Sequence, residues 1–262
     1  MAENTTSDDV LKPKLPENST IKLIGLGGVG SVVARYLTIF LASLNQSFRL
    51  VFIDGDTFES DNATRMMFSC FGNKAAVIIN ELRDHFAETA LSFIAVSEYL
   101  TKENIGNLIQ DGDIVLLAVD NHATRKIVSN YCANLRDITL ISGGNDGIEK
   151  SPTGKQLQGT YGTCSIFKRS NSKDLSPSLT RYHNEIAEPK DVLPTEEGCT
   201  EMLNSAPQIL FTNVMTAATI LNTFWLDTCS ELPYSELAFD ITKGLMRPTL
   251  QTQISVRAGT TT

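Results

Sequence analysis

Four glycines within the six residues Gly25–Gly30, following the apolar Ile21, Leu23 and Ile24 and enclosing Leu26, constrain this chain more than any other feature. Without a Cβ, glycine lets the backbone turn sharply and lets another molecule approach it closely. The apolar run reads as a buried strand. Ser31 to Leu44, with Val32, Val33, Leu37, Phe40, Leu41 and Leu44 apolar, has helical spacing. A helix that starts on such a turn presents unpaired N–H groups and partial positive charge, so a phosphate is the expected guest. The stretch predicts a strand-turn-helix that binds a nucleotide.

The rest of the chain extends this unit. Arg49 to Asp56 predicts a second buried strand, ending in Asp54 and Asp56 on either side of Gly55. Asp54 stands about 24 residues beyond Gly30, near the place of a carboxylate that holds ribose hydroxyls. Asn73 to Phe86 predicts a helix, Leu91 to Val96 and Ile114 to Val119 two strands, Ala123 to Leu135 a helix and Ile138 to Ser142 a fifth strand. Strands alternating with helices imply an α/β fold: a doubly wound, mostly parallel Rossmann-like sheet with ligands at the carboxyl ends of its strands. The glycines, Asp54, Asp56 and Asp120 all fall at such ends.

The pattern then changes. Lys155 to Lys168 alternates as antiparallel strands do, and 169–206 is polar with no period, long enough for a functional or mobile crossover. Pro207 to Leu226 predicts a buried core or interface helix, and Tyr234 to Ile241 with Met246 to Val256 a terminal hairpin. The expected organisation is a flexible arm at 1–19 and one domain at 20–262. Within that domain, 20–145 forms a nucleotide-binding core, 146–206 an antiparallel and crossover region, and 207–262 the helix and hairpin.

A net charge of -8 argues against a generic nucleic-acid surface. No apolar run approaches the roughly 20 residues of a membrane span, and the N-terminal stretch has no apolar signal core, so a soluble, cytoplasmic chain is expected. The cysteines Cys70, Cys132, Cys164, Cys199 and Cys229 are odd in number, scattered and without a CxxC pair, so neither a disulfide framework nor a structural zinc is expected. His85, His122 and His183 are too dispersed to replace a zinc site and read as surface or capping residues.

In order, GLGGVG, FIDGDTFESDNATR, GNKA and LLAVDNHATR form a series far more specific than the glycines alone. With Gly25, Gly27, Gly28, Gly30, Asp54, Asp56, Asn62, Arg65, Lys74, Asp120 and Asn121 in place, the chain resembles the ThiF/MoeB/HesA superfamily of adenylating enzymes, relatives of the ubiquitin-activating enzyme. The likeness covers roughly residues 20–145 and is weaker from Cys199 onward. It implies an ATP-dependent adenylyltransferase, acting as a homodimer, that activates the C-terminal carboxylate of a small ubiquitin-like or sulfur-carrier protein. A carboxylate nearing a triphosphate is a meeting of anions that cations must neutralise. Arg65 and Lys74 are the candidates, with Asn62 orienting phosphate oxygens. By the same likeness Asp54 serves the ribose, with Asp56 and Asn121 at the nucleotide, and Asp120 the magnesium and the reacting phosphates.

Cys199 stands where sulfur-carrier-activating relatives place a reactive cysteine, although Glu196, Glu197 and Glu201 around it would raise its thiol pKa. Three departures from the family pattern stand out. Met66 replaces the glutamine that many members carry after the motif arginine, the zinc-binding CxxC pairs are missing, and the first 34 residues contain no arginine to send into a partner's site. They motivate an alternative, a catalytically weakened binding or scaffold subunit. An NAD-dependent oxidoreductase would also use the glycines and Asp54, but leaves Asn62, Arg65, Lys74 and Asp120 unexplained.

Overall fold

The computed structural model describes residues 10–60, 63, 66–148, 154, 156–196 and 208–250, with Tyr182 described by its backbone alone. Asn62, Arg65 and Cys199, three of the expected catalytic residues, lie outside the described residues.

The chain begins with β1 (Thr20–Ile24), α1 (Gly30–Ser43) and β2 (Phe48–Ile53), then two short strands β3 (Thr57–Phe58) and β4 (Gly72–Asn73), and α2 (Lys74–His85). It continues with β5 (Leu91–Val96), the one-turn α3 (Ile105–Leu108), β6 (Ile114–Leu117), α4 (His122–Cys132) and β7 (Ile138–Asn145). Then come β8 (Tyr161–Ser170), β9 (Lys173–Asp174), the short α5 (Leu179–Tyr182) and α6 (Asn184–Ala187), the long α7 (Leu210–Thr228), β10 (Tyr234–Asp240) and β11 (Leu245–Leu250).

The main sheet runs β11-β10-β8-β7-β6-β1-β2-β5, with β9 at the side of β8. Pairings from β5 through β7 are parallel, and those from β7 through β8 and β10 to β11 are antiparallel. This is the doubly wound, mostly parallel sheet with a C-terminal antiparallel extension that the pattern predicts. Helices α1, α2 and α7 cover one face around Leu37, Ile78 and Phe224, and α3 to α6 cover the other around Val128 and Ile186. With both faces covered, β1 and β6 bury nearly every side chain, which is why their sequences read as continuous apolar runs. Lys22 of β1 is the exception. It is buried with its ammonium 2.7 Å from Asp113 and 2.6 Å from the Leu108 carbonyl, at the end of the sheet away from the glycine turn.

Several local expectations are refined. The region 169–206 is not without regular structure, since α5 and α6 fold back onto α4. Residues 10–19 carry no helix or strand, yet Leu15 packs on the core and the Lys14 N–H bonds the Thr228 carbonyl at 2.8 Å. The apolar helix begins at Leu210 rather than Pro207 and buries a stripe of threonines; Thr216 and Thr219 return their hydroxyls to carbonyls of their own helix. Among the described residues no helix is long and apolar enough to cross a membrane.

Candidate functional site

Strand order reverses between β1 and β6: the chain leaves β1 toward β2 and β5, then returns to the other side of β1 as β6. Connections leave to opposite sides at such a point, so a crevice opens at the carboxyl ends of the two strands, the usual place for a ligand in an open α/β sheet. The glycine turn follows β1 there and Asp120 follows β6.

Three of the glycines answer to the protein's own packing. Gly25 has φ +86°, and a Cβ on it would fall 2.9 Å from the Val119 nitrogen. On Gly30 a Cβ would sit 1.8 Å from the Gly25 carbonyl oxygen, and on Gly28 2.3 Å from Asn213 Nδ2. Gly27 differs, because a Cβ there would meet nothing within 4 Å. Among the described residues no packing contact requires glycine at 27, and the space beside it is open. α1 starts on this turn with no side-chain cap and no acidic residue in its first turn, leaving its partial positive charge to an incoming anion. Gly30→Ala is expected to prevent folding, read as loss of soluble protein. Gly27→Ala should leave the melting temperature within a few degrees of wild type while ATP no longer raises it.

Asp54, at the end of β2, is buried, and its carboxylate accepts the Leu26 N–H at 2.5 Å and the Asp56 N–H at 2.7 Å. Burial pushes its pKa up and outweighs the Lys74 charge and these two bonds, which act the other way. It thus ties the glycine turn to the end of the second strand. Lys74, the first residue of α2, is buried too, with its ammonium 2.8 Å from an Asp56 oxygen and its backbone N–H on the Asp56 carbonyl. The other Asp56 oxygen accepts the Tyr99 hydroxyl. Burial opposes the Asp56 charge, but Lys74 and these hydrogen bonds prevail and hold its pKa below the usual carboxylate value.

Asn73, in the GNKA stretch but not itself singled out from sequence, organises this corner. Its amide nitrogen donates to the Asp54 and Asp56 carbonyls at 2.8 and 3.1 Å, and its oxygen caps α2 through the Ala76 N–H.

Asp120 is exposed just beyond β6 and makes no hydrogen bond or ion pair among the described residues, so its carboxylate is free to meet a ligand. Asn121, expected at the nucleotide, gives its side-chain carbonyl to the Thr124 N–H and caps α4. Asp191, from the crossover region, accepts the N–H groups of His122 and Ala123 at 2.7 and 2.8 Å. The start of α4 is therefore capped by the side chains of Asn121 and Asp191, whereas the start of α1 has no side-chain cap and its Ser31, Val32 and Val33 N–H groups bond the Gly27 and Val29 carbonyls. No sequence signal pointed to Asp191, which lies 69 positions from its partner His122.

Arg125, the last residue of the LLAVDNHATR stretch, was not singled out from sequence. It is buried without a salt bridge; its guanidinium donates to the Val119 carbonyl at 2.6 Å, the Gly143 carbonyl at 3.0 Å and Ser142 Oγ at 3.0 Å. Burial lowers its pKa, and the nearby charges of Asp120 and Asp191 partly offset this. It braces the turn that carries Asp120 against the end of β7.

Two of the described cysteines, Cys132 and Cys164, offer no activated thiol. Burial pushes Cys164 and Cys132 up to about 12, Cys229 is buried, and Cys70 is exposed. A thiol at such a pKa stays protonated at neutral pH and is a poor nucleophile. Among the described residues no group of metal-ligating side chains could by itself hold a metal ion.

His183 proves not to be a simple surface residue. Its Nε2 meets Glu236, its Nδ1 lies 3.0 Å from Glu185, and Ser165 Oγ also bonds Glu236 at 2.8 Å. The bond to Glu236 outweighs burial and raises the His183 pKa. A raised value means that the stabilisation is fully present below the ordinary 6.5 and is lost as pH climbs through the folded-state value. His183→Gln should therefore cost about 1.5–3 kcal/mol near pH 6. The cost should shrink toward about pH 9, measured as the difference in urea midpoint from wild type.

The ThiF family model matches residues 12–223. Protein HesA of Nostoc sp. is 24% identical over 135 residues, 51% of this chain and 51% of HesA. Adenylyltransferase and sulfurtransferase MOCS3 of Dictyostelium discoideum is 34% identical over 129 residues, 48% of this chain but 29% of MOCS3. The chain thus spans about half the length of HesA and under a third of MOCS3. E. coli MccB, solved with ATP, shares the fold with a TM-score of 0.62 at 15% identity, over 92% of this chain and 66% of its own.

Proposed function

Because this chain belongs to the ThiF family, we propose that it is an ATP-dependent adenylyltransferase that activates the C-terminal carboxylate of a small ubiquitin-like or sulfur-carrier protein as an acyl adenylate. The observation that carries the reading is the open space at Gly27 on an uncapped helix start, in the same strand-end crevice as Asp120. In support, MOCS3 is by name an adenylyltransferase, and MccB was crystallised with ATP.

In the proposed reaction a carboxylate oxygen of the carrier attacks the α-phosphorus of ATP. A new O–P bond forms, the bond to the bridging oxygen of the β-phosphate breaks, and pyrophosphate leaves with that electron pair. The glycine turn and the start of α1 bind the phosphates, and Asp54 accepts the ribose hydroxyls. Lys74, with Arg65 and Asn62, offsets the charge of the attacking and leaving anions. In the nucleotide-free chain Asp56 holds the Lys74 ammonium in place. Asp120 would be the residue to hold a magnesium ion. One free carboxylate fits an ion that keeps several waters and takes the rest of its oxygens from phosphates, and such an ion would neutralise the departing pyrophosphate. Asn121 acts indirectly, by fixing the start of α4 next to Asp120. Cys199 is the candidate for any later sulfur or thioester step.

The test is carrier-dependent exchange of labelled pyrophosphate into ATP, run with small proteins ending in Gly-Gly. Absence of exchange with every carrier, or stabilisation by NAD and not by Mg-ATP, would falsify this reading. The Lys74–Asp56 pair favours one alternative, a scaffold subunit whose cation is already neutralised. That alternative requires a second chain to restore exchange.

A homodimer belongs to the same reading. Tyr36 and Ile39 on α1, Phe211 on α7, and Met67 and Phe71 before α2 leave large apolar side chains exposed, and apolar exposure of this kind supports a surface that pairs with another chain. Sedimentation velocity should give a dimer for wild type and a monomer for Ile39→Glu. A wild-type monomer at all concentrations excludes it.

A further inference from the structure

Asn213 lies in the first turn of α7 and is fully buried, yet among the described residues neither atom of its amide has a hydrogen-bond partner. An unpaired buried amide is costly, and native proteins satisfy the large majority of such groups. Thr212, one residue before it, is likewise buried with no partner for its hydroxyl among the described residues, whereas Thr216, Thr219, Thr223 and Thr228 further along α7 all have partners. The unpaired groups are thus confined to the first turn of α7, the turn that lies against the glycines.

Its location is specific. Nδ2 fills the space that a Cβ on Gly28 would occupy, at 2.3 Å from that position, so the amide lies directly against the glycine turn. α7 and α1 run side by side from this point, joined further along by the edge-to-face pair Phe224 and Phe40. The turn is thus held between the start of α1 and an amide anchored on a rigid 19-residue helix.

We propose that Asn213 is a positioning residue for the nucleotide, an amide left unpaired in the free chain that hydrogen-bonds the Gly27–Gly30 turn once a triphosphate has drawn that turn's N–H groups toward itself. The inference rests on the nucleotide reading above and adds to it a residue that works through the loop rather than on the substrate. The Gly27 and Val29 carbonyls already accept the Ser31, Val32 and Val33 N–H groups at the start of α1, so the Asn213 amide would act on the Gly28 peptide, beside which it lies. The unpaired state is then relieved only when the loop is loaded, which couples α7 to occupancy of the site.

The test compares wild type, Asn213→Ala and Asn213→Asp in the full chain, titrating ATP and AMP separately and recording the melting temperature without nucleotide. Asn213→Ala should bind ATP about 5–10-fold more weakly. Its affinity for AMP, which makes little use of the phosphate turn, should stay near wild type, and its KM for ATP should rise while kcat holds. Asn213→Asp, nearly the same shape but without the amide donor and carrying an anion toward the turn, should bind ATP more weakly still. The melting temperature of nucleotide-free Asn213→Ala should not fall in proportion, because the amide it loses had no partner. The proposal is overturned if Asn213→Ala binds ATP as wild type does. It is equally overturned if ATP and AMP affinities fall together with the nucleotide-free melting temperature, the mark of a packing role alone. Failure of wild type to bind ATP overturns this proposal and the proposed function together, whereas either of the first two outcomes leaves the function standing.

Discussion

Replacing Asp120 by alanine is expected to lower carrier-dependent pyrophosphate exchange by at least about 10²-fold, the scale of losing one charged group aimed at the reacting phosphates. It should do so without weakening the fold. Asp120 is exposed beyond the end of β6 and bonds nothing among the described residues, and substitutions at such positions stay within about ±0.5 kcal/mol. The combination makes the result diagnostic: a chain with unaltered melting temperature and urea midpoint, still stabilised by ATP, but without exchange. Asp120→Asn, which keeps the shape and removes the charge, should resemble alanine if the carboxylate holds a magnesium ion. Normal exchange in either variant removes Asp120 from the reaction.

Lys74→Met should have an effect of similar size on exchange and a second effect on stability that Asp120→Ala lacks. The lysine ammonium is buried and paired with Asp56 at 2.8 Å, so its removal leaves a carboxylate facing the buried carboxylate of Asp54. Breaking a fully buried pair costs about 3–5 kcal/mol. The Asp56 side chain is 48% exposed, so water recovers much of its hydration and a loss of about 1–2 kcal/mol is expected. The sign of the pH dependence follows from Asp56, whose pKa is held down. Its contribution is present above the ordinary carboxylate value of 3.8 and is lost as pH falls through the lowered one. The gap between wild type and Lys74→Met should therefore be widest near neutrality and close below about pH 3. Adding Asp56→Asn to Lys74→Met should restore stability but not exchange. Restored exchange would mean that Lys74 serves the fold and not the chemistry.

Much of the architecture could be read from periodicity. The runs at Ile21–Leu26, Arg49–Asp56 and Ile114–Val119 are apolar because parallel strands between two helical layers bury both faces, whereas Leu91–Val96 is an edge strand and leaves residues such as Ile94 exposed. The strand at Leu91–Val96 coincides with its prediction, while most other boundaries shift by one to three residues where caps and frayed turns decide them; the long strand predicted from Lys155 begins only at Tyr161, and the predicted end at Val256 lies outside the described residues. Long polar stretches carried less information. The crossover region shows no period because α5 and α6 are single turns whose positions are set by contact with α4 and not by an internal pattern.

The site divides along the same line. Glycines, a carboxylate near the expected spacing and a lysine at the start of a helix are local signals, visible because each stands next to the strand or helix that it ends or begins. Chain order thus pointed to a glycine turn at Gly25–Gly30, read as a nucleotide turn, and to acidic groups at neighbouring strand ends. It could not show that Asp56 pairs with Lys74, that Asp191 closes the start of α4 in place of a phosphate, that Arg125 braces the Asp120 turn, or that His183 sits between two glutamates. Least visible was the contact between Asn213 and Gly28, since from sequence alone that asparagine is one polar residue in an apolar helix. Each of these contacts joins side chains on different elements, at distances set by how the layers pack. Hydrophobic period records which face of an element is buried, but the identity of a partner across the core is decided only when the sheet and its helices come together.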